Sequence, residues 1–340
     1  MRLGVDAREV VDTRGIGRYE RAILSRLARR DDVELTLVLP GLFPQLQRNA
    51  VARVLGSDRF TIARNARKCD VLWHPANGTF LAHNGRNVAT IHDAVPFHFP
   101  EADERHRRDR QAPFLRSAQT ASRIITGSYG AKDDLAETLD IDPQRIVVIY
   151  HGIDERFSPA PSPTPLPEAV RSPYLLFIGD PLGEPRKNFP TLLQAYRLAF
   201  PREPRPLLVV VGRKDPRIDD VVYPGVGEDP CSEDLLLALY QNALAVCVPS
   251  LYEGFGMPLL EAMACGTPVI ASRVSCLPEV AASAAAYADP HDPQAWADVL
   301  QRIAHDSAWR AELREAGLQR AREFSWERSA QEHMHVFASA

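Results

Sequence analysis

The chain has 340 residues, of which 45% are hydrophobic, and its formal net charge is −4. Two domains are the natural expectation for that length, and the apolar content is enough to bury a core in each. The net charge gives no support to a nucleic-acid-binding function, which would call for a basic surface, so we expect no nucleic-acid partner.

Cysteine usage and apolar runs bear on the compartment. Five cysteines show no metal-ligand spacing, and several lie in apolar runs where a thiol packs as a small hydrophobic group. This pattern favours a reducing cytoplasm. The charged N-terminal residues do not resemble a signal peptide, and no apolar run approaches the roughly 18 residues of a membrane span. We therefore expect a cytoplasmic chain, at most peripheral on the inner face of a membrane.

Short apolar runs alternate with amphipathic stretches in the first half of the chain. The runs lie at 3–5, 35–39, 71–73, 88–91, 124–125 and 146–149. This alternation predicts a doubly wound, parallel α/β domain over residues 1–157.

A proline-rich segment, SPAPSPTPLPEAVRSP at 158–173, ends this pattern. Repeated prolines cannot support a helix or a central strand, so the segment is predicted to be a linker. The alternation restarts with apolar runs at 174–178, 207–211, 246–248 and 269–271 and helical segments near 191–200 and 235–243. A second α/β domain is predicted over 174–323, followed by a terminal helix within 324–340.

Gly15 and Gly17 lie between the opening strand and an amphipathic helix. Backbone amides there are candidates for contact with a diphosphate, although two glycines before a helix are also typical of an ordinary turn. A dinucleotide fingerprint would need a third glycine where this chain has Glu20, which excludes a nicotinamide cofactor on this motif.

His92 and Asp93 follow the run at 88–91. Open α/β sheets bind ligands at the carboxyl ends of their strands, so His92 is a candidate for chemistry as well as for a structural role. Asp93 is a weak candidate for fixing the His92 tautomer, because adjacent strand residues point to opposite faces.

The segment ERHRRDR at 104–110 is the conspicuous basic cluster. A solvated helix face, partly compensated by acidic neighbours, is the ordinary interpretation. The sharper hypothesis is that Arg105, Arg107 and Arg108 contact an anionic lipid or lipid-diphosphate acceptor at a membrane surface.

Arg186 and Lys187 follow the run at 174–178 and precede a helix. Two adjacent cations can neutralise a leaving diphosphate, on which negative charge builds in the transition state. A solvated basic pair is the alternative, but cations at a helix start oppose the macrodipole and call for an explanation.

The stretch LYEGFGMPLLEAMACGTPVIAS at 251–272 sets Glu253 and Glu261 on either side of a glycine-interrupted turn. A buried strand is predicted just before it, and Pro258 is well placed as the first residue of a helix. Glycines in the loop allow close backbone approach to a ligand, and N–H groups at the helix start favour phosphate. One carboxylate can then accept hydrogen bonds from sugar hydroxyls and the other from a ribose diol, unless both are simply solvated.

This stretch resembles, almost position by position, the E-x-G-F-G-x-x-x-x-E-A-M-A-x-G-x-P-V signature of retaining glycosyltransferases of family four. Three other segments resemble motifs of the same family: the glycine loop at 15–19, the H-D-x-x-P segment at 92–96 and the E-P-R-K-N segment at 184–188. Relatives often have asparagine where this chain has His151, and some have an arginine where it has Asp180.

The resemblance implies the GT-B fold, in which two Rossmann-like domains face a cleft and the terminal helix crosses back to the first domain. It further implies an acceptor held by the first domain and a nucleotide-diphosphate sugar held by the second. Arg186 and Lys187 would stabilise the leaving group, Glu253 the donor hydroxyls and Glu261 the ribose. His92 would hold the donor sugar or orient the acceptor.

Backbone N–H groups are expected to support the phosphates, at Gly254, Phe255, Gly256 and Met257. The leaving phosphate would itself assist deprotonation of the incoming hydroxyl, so no protein base is required. We expect no cofactor and no metal: Asp140 and Asp142 match a D-x-D spacing but precede a proline in a predicted turn.

Similarity of the glycine loop to bacterial mannosyltransferases of polysaccharide or glycolipid assembly makes GDP-mannose the hypothesis for the donor. The acceptor would be a hydroxyl of a glycan, glycolipid or small molecule. Two alternatives stay open. The same fold could support nucleotide-sugar epimerisation or phosphorolysis, and a catalytically silent nucleotide-binding scaffold is possible in principle, although the joint presence of Arg186, Lys187, Glu253 and Glu261 argues against it.

Overall fold

The computed structural model describes residues 1–12, 15–225 and 231–340. These residues form two units, the first made of Met1–Gly152 with Ser325–Ala340 and the second of Ile153–Phe324. Helices and strands are numbered below in chain order.

The first unit contains seven strands in its described part. They are β1 (Arg2–Asp6), β2 (Glu34–Val38), β3 (Thr61–Ala63), β4 (Val71–His74), β5 (Arg86–Thr90), β6 (Arg123–Thr126) and β7 (Ile146–Val148). Its helices are α1 (Gly15–Leu27), α2 (Arg48–Leu55), α3 (Val95–His98), α4 (Glu104–Thr120), α5 (Tyr129–Leu139) and α12 (Trp326–Ser339), with 3₁₀ turns η1 (Pro44–Gln47) and η2 (Pro143–Arg145).

The second unit has five strands among the residues described. They are β8 (Tyr174–Ile178), β9 (Leu207–Val211), β10 (Ala245–Val248), β11 (Val269–Ser272) and β12 (Ala285–Ala288). Its helices are α6 (Phe189–Ala199), α7 (Glu233–Asn242), α8 (Met257–Ala264), α9 (Leu277–Ala281), α10 (Pro293–His305) and α11 (Ser307–Ala321), with one 3₁₀ turn, η3 (Pro185–Lys187).

Both sheets are parallel throughout and doubly wound. The strand order is β3-β2-β1-β4-β5-β6-β7 in the first unit and β12-β11-β10-β8-β9 in the second. The order reverses between β1 and β4 in one sheet and between β8 and β10 in the other. Ligands of such sheets bind outside the carboxyl ends of the strands at these reversal points, so the loops after β8 and β10 become the first place to look for a site.

The predicted fold class is confirmed, and every apolar run taken as a strand overlaps one. Two strands escaped prediction, β3 and β12. The first has three residues, and the second, AAYA, is poor in the β-branched residues that mark strands. The pairing of β12 with β11 along its full length supplies what its own composition lacks.

The unit boundary lies earlier than the proline-rich segment at 158–173. The second unit begins directly after Gly152, and the proline-rich segment belongs to it. Gln241 on α7 explains the attachment, because its amide donates to Ser158 O (2.9 Å) and accepts from Ser162 N (2.7 Å). The prolines exclude helix and strand there, but they do not make the segment a free linker.

The terminal helix α12 returns to the first unit, as predicted. Its attachment is a buried polar chain: Trp73 Nε1 donates to Thr90 Oγ1 (2.9 Å), which lies 3.1 Å from the Tyr19 hydroxyl. Tyr19 in turn lies 2.6 Å from His333 Nε2 on α12. His333 Nδ1 is 2.7 Å from Ser329 O, so Nδ1 carries the proton of the neutral ring and Nε2 accepts from Tyr19.

Burial lowers the pKa of His333 to about 4, against an opposing hydrogen bond to Ser329 O. His151, stacked on Trp326 at 5.7 Å between ring centroids, is also buried, and its pKa is lowered well below the usual value for the same reason. Both rings are therefore neutral in the native protein near pH 7.

Across the described residues, the structure contains no helix of the length and apolarity that spanning a membrane requires.

These neutral histidines make the first unit sensitive to acid. Below about pH 6.5 His333 is protonated in the unfolded chain but stays neutral in the folded chain until the pH approaches its folded pKa of about 4. The free energy of unfolding therefore falls as the pH drops toward 4. We expect this residue to cost about 2 kcal/mol of unfolding free energy between pH 7 and pH 5. Guanidinium unfolding followed by tryptophan fluorescence should show a shallower pH dependence in His333→Gln. His335→Gln, exposed on the same helix, is the control, and equal slopes in the two variants would contradict the interpretation.

Candidate active site

The candidate site of the second unit lies at the carboxyl ends of β8 and β10. The turn η3 follows β8, and the loop from Pro249 to Gly256 follows β10 and enters α8. The prediction that Arg186, Lys187 and Glu253 belong together was made from motifs far apart in the chain, and the strand order brings their loops side by side.

Glu253 is the centre of this group. Its carboxylate receives Lys187 Nζ on Oε1 at 2.7 Å and Arg186 Nη1 on Oε2 at 2.9 Å. The Ser250 hydroxyl donates to Oε1 at 2.7 Å. Glu253 is 6% exposed and Lys187 8%, so this is a buried, hydrogen-bonded ion pair rather than a solvated contact.

Burial alone would raise the pKa of Glu253. The charges of Lys187 and Arg186, with hydrogen bonds from Lys187 and Ser250, outweigh burial and lower that pKa to about 2. Glu253 is therefore a carboxylate at any physiological pH. It can accept hydrogen bonds but cannot supply a proton, which makes it a positioning group rather than a general acid.

Asn188 locks the cationic turn onto the neighbouring strand. Its backbone is left-handed (φ 54°), and its buried amide donates to Pro249 O at 3.0 Å and to Pro290 O at 2.8 Å. Leu251 N donates to Arg186 O at 2.7 Å. These bonds tie the loop after β8 to the loop after β10. The backbone that carries the two cations is therefore held in place beside Glu253.

Ser275 holds Glu253 from the other side, and sequence reasoning missed it. Glu253 N donates to Ser275 Oγ at 3.0 Å, and the Cys276 thiol donates to Glu253 O at 3.1 Å. Ser275 has a φ of 42°, a conformation that non-glycine residues rarely adopt. No local motif signals this role, because Ser275 and Glu253 are distant in sequence and come together through the pairing of β10 with β11.

The start of α8 lies beside this carboxylate. Gly256 has a φ of 90°, which favours glycine, and a Cβ there would also displace the end of the Leu277 side chain, 2.8 Å away. Gly254 and Phe255 are buried in the same loop, with the Phe255 ring 5.8 Å from that of Phe324. Gly256 is the N-cap of α8, and Met257 is its first residue; within the described chain no side-chain hydrogen bond caps this end.

Glu261 lies one turn into α8 and is 2% exposed. The Tyr240 hydroxyl donates to its Oε2 at 2.7 Å. The second predicted carboxylate is thus buried against α7. It belongs to the same helix as Met257.

A second tier of charges surrounds η3. Glu184 Oε1 accepts from Arg186 Nη2 at 3.0 Å, and Glu184 Oε2 accepts from Asp180 N at 3.0 Å. Asp180 Oδ2 lies 3.1 Å from Arg213 Nη2. Asp180, which stands where some relatives have an arginine, therefore forms an ion pair with Arg213, just after β9.

In the first unit His92 lies directly after β5. Its Nε2 is 3.2 Å from Pro75 O, and its backbone N donates to Asn77 Oδ1 at 2.6 Å. Burial lowers its pKa to about 4, although the hydrogen bond to Pro75 O opposes this. Asp93 Oδ1 accepts instead from Val95 N (3.1 Å) and starts α3, so the carbonyl of Pro75, not Asp93, orients the imidazole.

Gly15 and Gly17 open α1 in the same unit. A Cβ on Gly17 would lie 2.0 Å from Asp12 O, so this glycine is required by the close approach of the preceding backbone. Gly15 faces open space. The ring of Tyr19, four residues on, meets His92 edge-on at 4.6 Å and His151 at 4.9 Å, which groups the glycine loop with both histidines.

The remaining predicted residues lie elsewhere in the first unit. Arg105 and Arg108 are exposed on α4, and Arg108 pairs with Glu104 at 2.9 Å. Asp140 ends α5 and Asp142 accepts from Gln144 N to start η2. Both aspartates therefore have turn and capping roles.

Comparison with known proteins agrees with this arrangement. The family described as Glycosyltransferase Family 4 matches residues 13–157, and the one described as Glycosyl transferases group 1 matches residues 227–322. The chain belongs to the family 4 glycosyltransferases. It therefore has their GT-B fold, and both predictions are confirmed.

Curated relatives within this family include mannosyltransferases. O-antigen chain mannosyltransferase B of Escherichia coli is 29% identical, and the alignment covers 95% of each chain. D-inositol 3-phosphate glycosyltransferase of Corynebacterium glutamicum is 31% identical over 76% of this chain and 66% of its own. Among solved structures, Anabaena HepE in complex with UDP and glucose has a TM-score of 0.70 at 16% identity, covering 100% of this chain and 99% of its own, which shows the shared fold alone.

The coupling free energy of the buried Lys187–Glu253 ion pair can be measured by a double-mutant cycle. Lys187→Ala or Glu253→Ala alone leaves a buried charge short of its partner and should cost about 3 kcal/mol or more of unfolding free energy. The double variant should cost less than the two losses added, by about 1–3 kcal/mol. The Arg197–Asp220 pair of the same unit is partly exposed and is the control, with an expected coupling below about 1 kcal/mol. Additive losses at Lys187 and Glu253 would contradict the geometry.

Proposed function

We propose that the chain is a retaining hexosyltransferase that moves mannose from GDP-mannose to a hydroxyl of a glycan, glycolipid or small molecule. The observation that carries the proposal is the buried group of Glu253, Lys187 and Arg186 at the reversal point of the second sheet. The mannosyltransferase similarity over 95% of the chain supports the choice of sugar.

In the proposed mechanism the second unit binds the donor. Lys187 and Arg186 present their remaining N–H donors to the diphosphate, and the N–H groups from Gly254 to Met257 at the start of α8 add partial positive charge. Because Glu253 stays ionised, it can accept hydrogen bonds from the hydroxyls of the sugar while holding the two cations in place. Glu261 takes the ribose diol, and Tyr240 orients its carboxylate.

The first unit binds the acceptor in this scheme. His92 has its Nε2 proton directed to Pro75 O, which leaves Nδ1 as the acceptor nitrogen of a neutral ring. Such a ring can orient a hydroxyl without carrying charge, and Gly15, in the loop that leads to Tyr19 beside His92, offers an open backbone. Departure of the diphosphate builds negative charge on its oxygens, which then accept the proton of the incoming hydroxyl, so the sugar is attacked from the face that the leaving group vacates.

No cofactor and no metal ion take part in the proposed reaction. The two cations do the electrostatic work that a divalent ion would otherwise supply. Among residues 1–12, 15–225 and 231–340, no group of three or more His, Cys, Asp or Glu side chains is arranged to hold a metal ion.

An acceptor linked to a lipid would bring this enzyme to the inner face of the cytoplasmic membrane. Arg105, Arg107 and Arg108 on α4 are suited to electrostatic attraction by anionic headgroups. Residues 101–116 carry five arginines against four carboxylates, so this attraction is weak and sensitive to salt.

The donor is tested by binding. Thermal-shift measurements with GDP-, UDP-, ADP- and dTDP-sugars should show the largest stabilisation for GDP-mannose.

Transfer of mannose should fall about 10²–10³-fold in Lys187→Ala, since one stabiliser of the leaving group is lost. Lys214→Ala, which removes an exposed lysine of the same unit, is the control. Full transfer by the Lys187 or Glu253 variants would remove the proposed roles, and turnover of the donor without any acceptor would indicate an epimerase instead.

The stereochemistry and the metal requirement are tested together. Proton NMR of the product formed from the α-linked donor should show an α-glycoside, and the initial rate should be unchanged by excess EDTA. A β-linked product would exclude retention. A rate that is lost in EDTA and restored by Mg²⁺ would exclude the metal-independent scheme.

A further inference from the structure

The turn that follows β2 presents three large apolar side chains to solvent. Leu42, Phe43 and Leu46 are 75%, 70% and 83% exposed, respectively. The other exposed large hydrophobic side chains among the described residues are 40–59% exposed. We call residues 41–47 the apolar tip. Burial of such side chains is the main source of free energy in folding, so three of them held in water within one turn point to a partner.

The apolar tip is held in place by the body of the first unit. Pro44 is buried beneath it, and Gln45 Nε2 donates to Ile62 O on β3 at 2.7 Å. Leu46 N donates to Phe43 O at 3.1 Å, and Arg64 donates to Leu42 O. The three apolar side chains therefore project from an anchored turn, which can insert into a partner without first being ordered.

Positive charge accompanies the tip. Residues 41–69 contain one carboxylate and six cations, namely Arg48, Arg53, Arg59, Arg64, Arg67 and Lys68, although the whole chain has a net charge of −4. All of these cations except Arg48 are exposed. The turn η1 packs against both α2 and β3, the elements that carry or precede most of them. Arg59 pairs with Asp31, Arg48 donates to Phe60 O and Arg64 to Leu42 O, whereas Arg53, Arg67 and Lys68 form no ion pair with the described residues.

We propose that the apolar tip inserts into the headgroup region of an anionic membrane, with the surrounding cations on lipid phosphates. Exposed apolar side chains accompanied by arginine and lysine are the pattern of interfacial membrane anchors. A second copy of the chain fits less well, because a two-fold contact through this patch would bring two strongly positive segments together. The proposal does not depend on the proposed reaction.

The tip and the basic cluster of α4 make different contributions. Helix α4 carries five arginines, which Glu104 and Asp109 within it and Glu101 and Asp103 just before it largely offset, and it has one exposed large apolar side chain, Leu115, in its described length. Its attraction to anionic lipid is screened by salt, whereas insertion of Leu42, Phe43 and Leu46 is not. The two surfaces can therefore be separated by ionic strength.

Co-sedimentation of the full chain with sucrose-loaded vesicles tests the proposal. Vesicles of phosphatidylcholine and phosphatidylglycerol at 3:1 should bind the wild type, and part of this binding should persist in 0.5 M NaCl. The variant Leu42→Ser/Phe43→Ser/Leu46→Ser should bind at least about tenfold more weakly and lose the salt-resistant part. Arg105→Ser/Arg107→Ser/Arg108→Ser should retain the salt-resistant part, and Leu198→Ser, which removes an exposed leucine of the second unit, should bind as the wild type does.

Phe43→Trp gives a direct reading of insertion and guards against a folding defect in the triple variant. Its additional fluorescence should shift to shorter wavelength with anionic vesicles and not with phosphatidylcholine alone. The proposal is overturned if the wild type fails to bind, if the triple serine variant binds equally well, or if the added tryptophan stays in water. It is also overturned if sedimentation velocity shows that the triple variant loses a dimer while vesicle binding is unchanged.

Discussion

A carboxylate buried in the interior must be given counter-charge, and Glu253 receives it from two cations at once. Lys187 and Arg186 lie 66 and 67 residues away in sequence, so the contact exists only because β8 and β10 are neighbours. The surrounding structure serves this contact: Asn188 clamps the cationic turn and Ser275 clamps the carboxylate loop. Losing Glu253 leaves Lys187 buried without its carboxylate, whereas losing either cation leaves Glu253 paired with the other one alone.

The first unit depends on a different interior, made of neutral polar and aromatic groups. Tyr19 joins the glycine loop to Thr90, and its hydroxyl donates to His333 on the terminal helix. His92 and His151 pack on the same tyrosine ring. The terminal helix therefore packs on the same side chains that we propose for the acceptor site. Protonation of one of these histidines would destabilise both the packing of that helix and the site.

Periodicity and motif spacing predicted the architecture well, because they report the strand-and-helix alternation directly. They missed β12, because its alanine-rich sequence is held in the sheet by pairing with β11. They also placed the domain boundary at the proline-rich segment, whereas the second unit begins before it. The association of Arg186, Lys187 and Glu253 was predictable from resemblance, whereas the role of Ser275 was not, since it arises from the pairing of distant strands. The apolar tip also left no mark in the sequence, where Leu42, Phe43 and Leu46 look like ordinary core residues until their exposure is known.

The central claim is that the cations which neutralise Glu253 are also those that receive the donor diphosphate. A crystal structure of the chain with GDP tests this most directly. The account predicts diphosphate oxygens within hydrogen-bond distance of Lys187 and Arg186, with Glu253 still in contact with Lys187 from the other side. A diphosphate bound elsewhere, with the contacts among Arg186, Lys187 and Glu253 unchanged and untouched by the ligand, would contradict it.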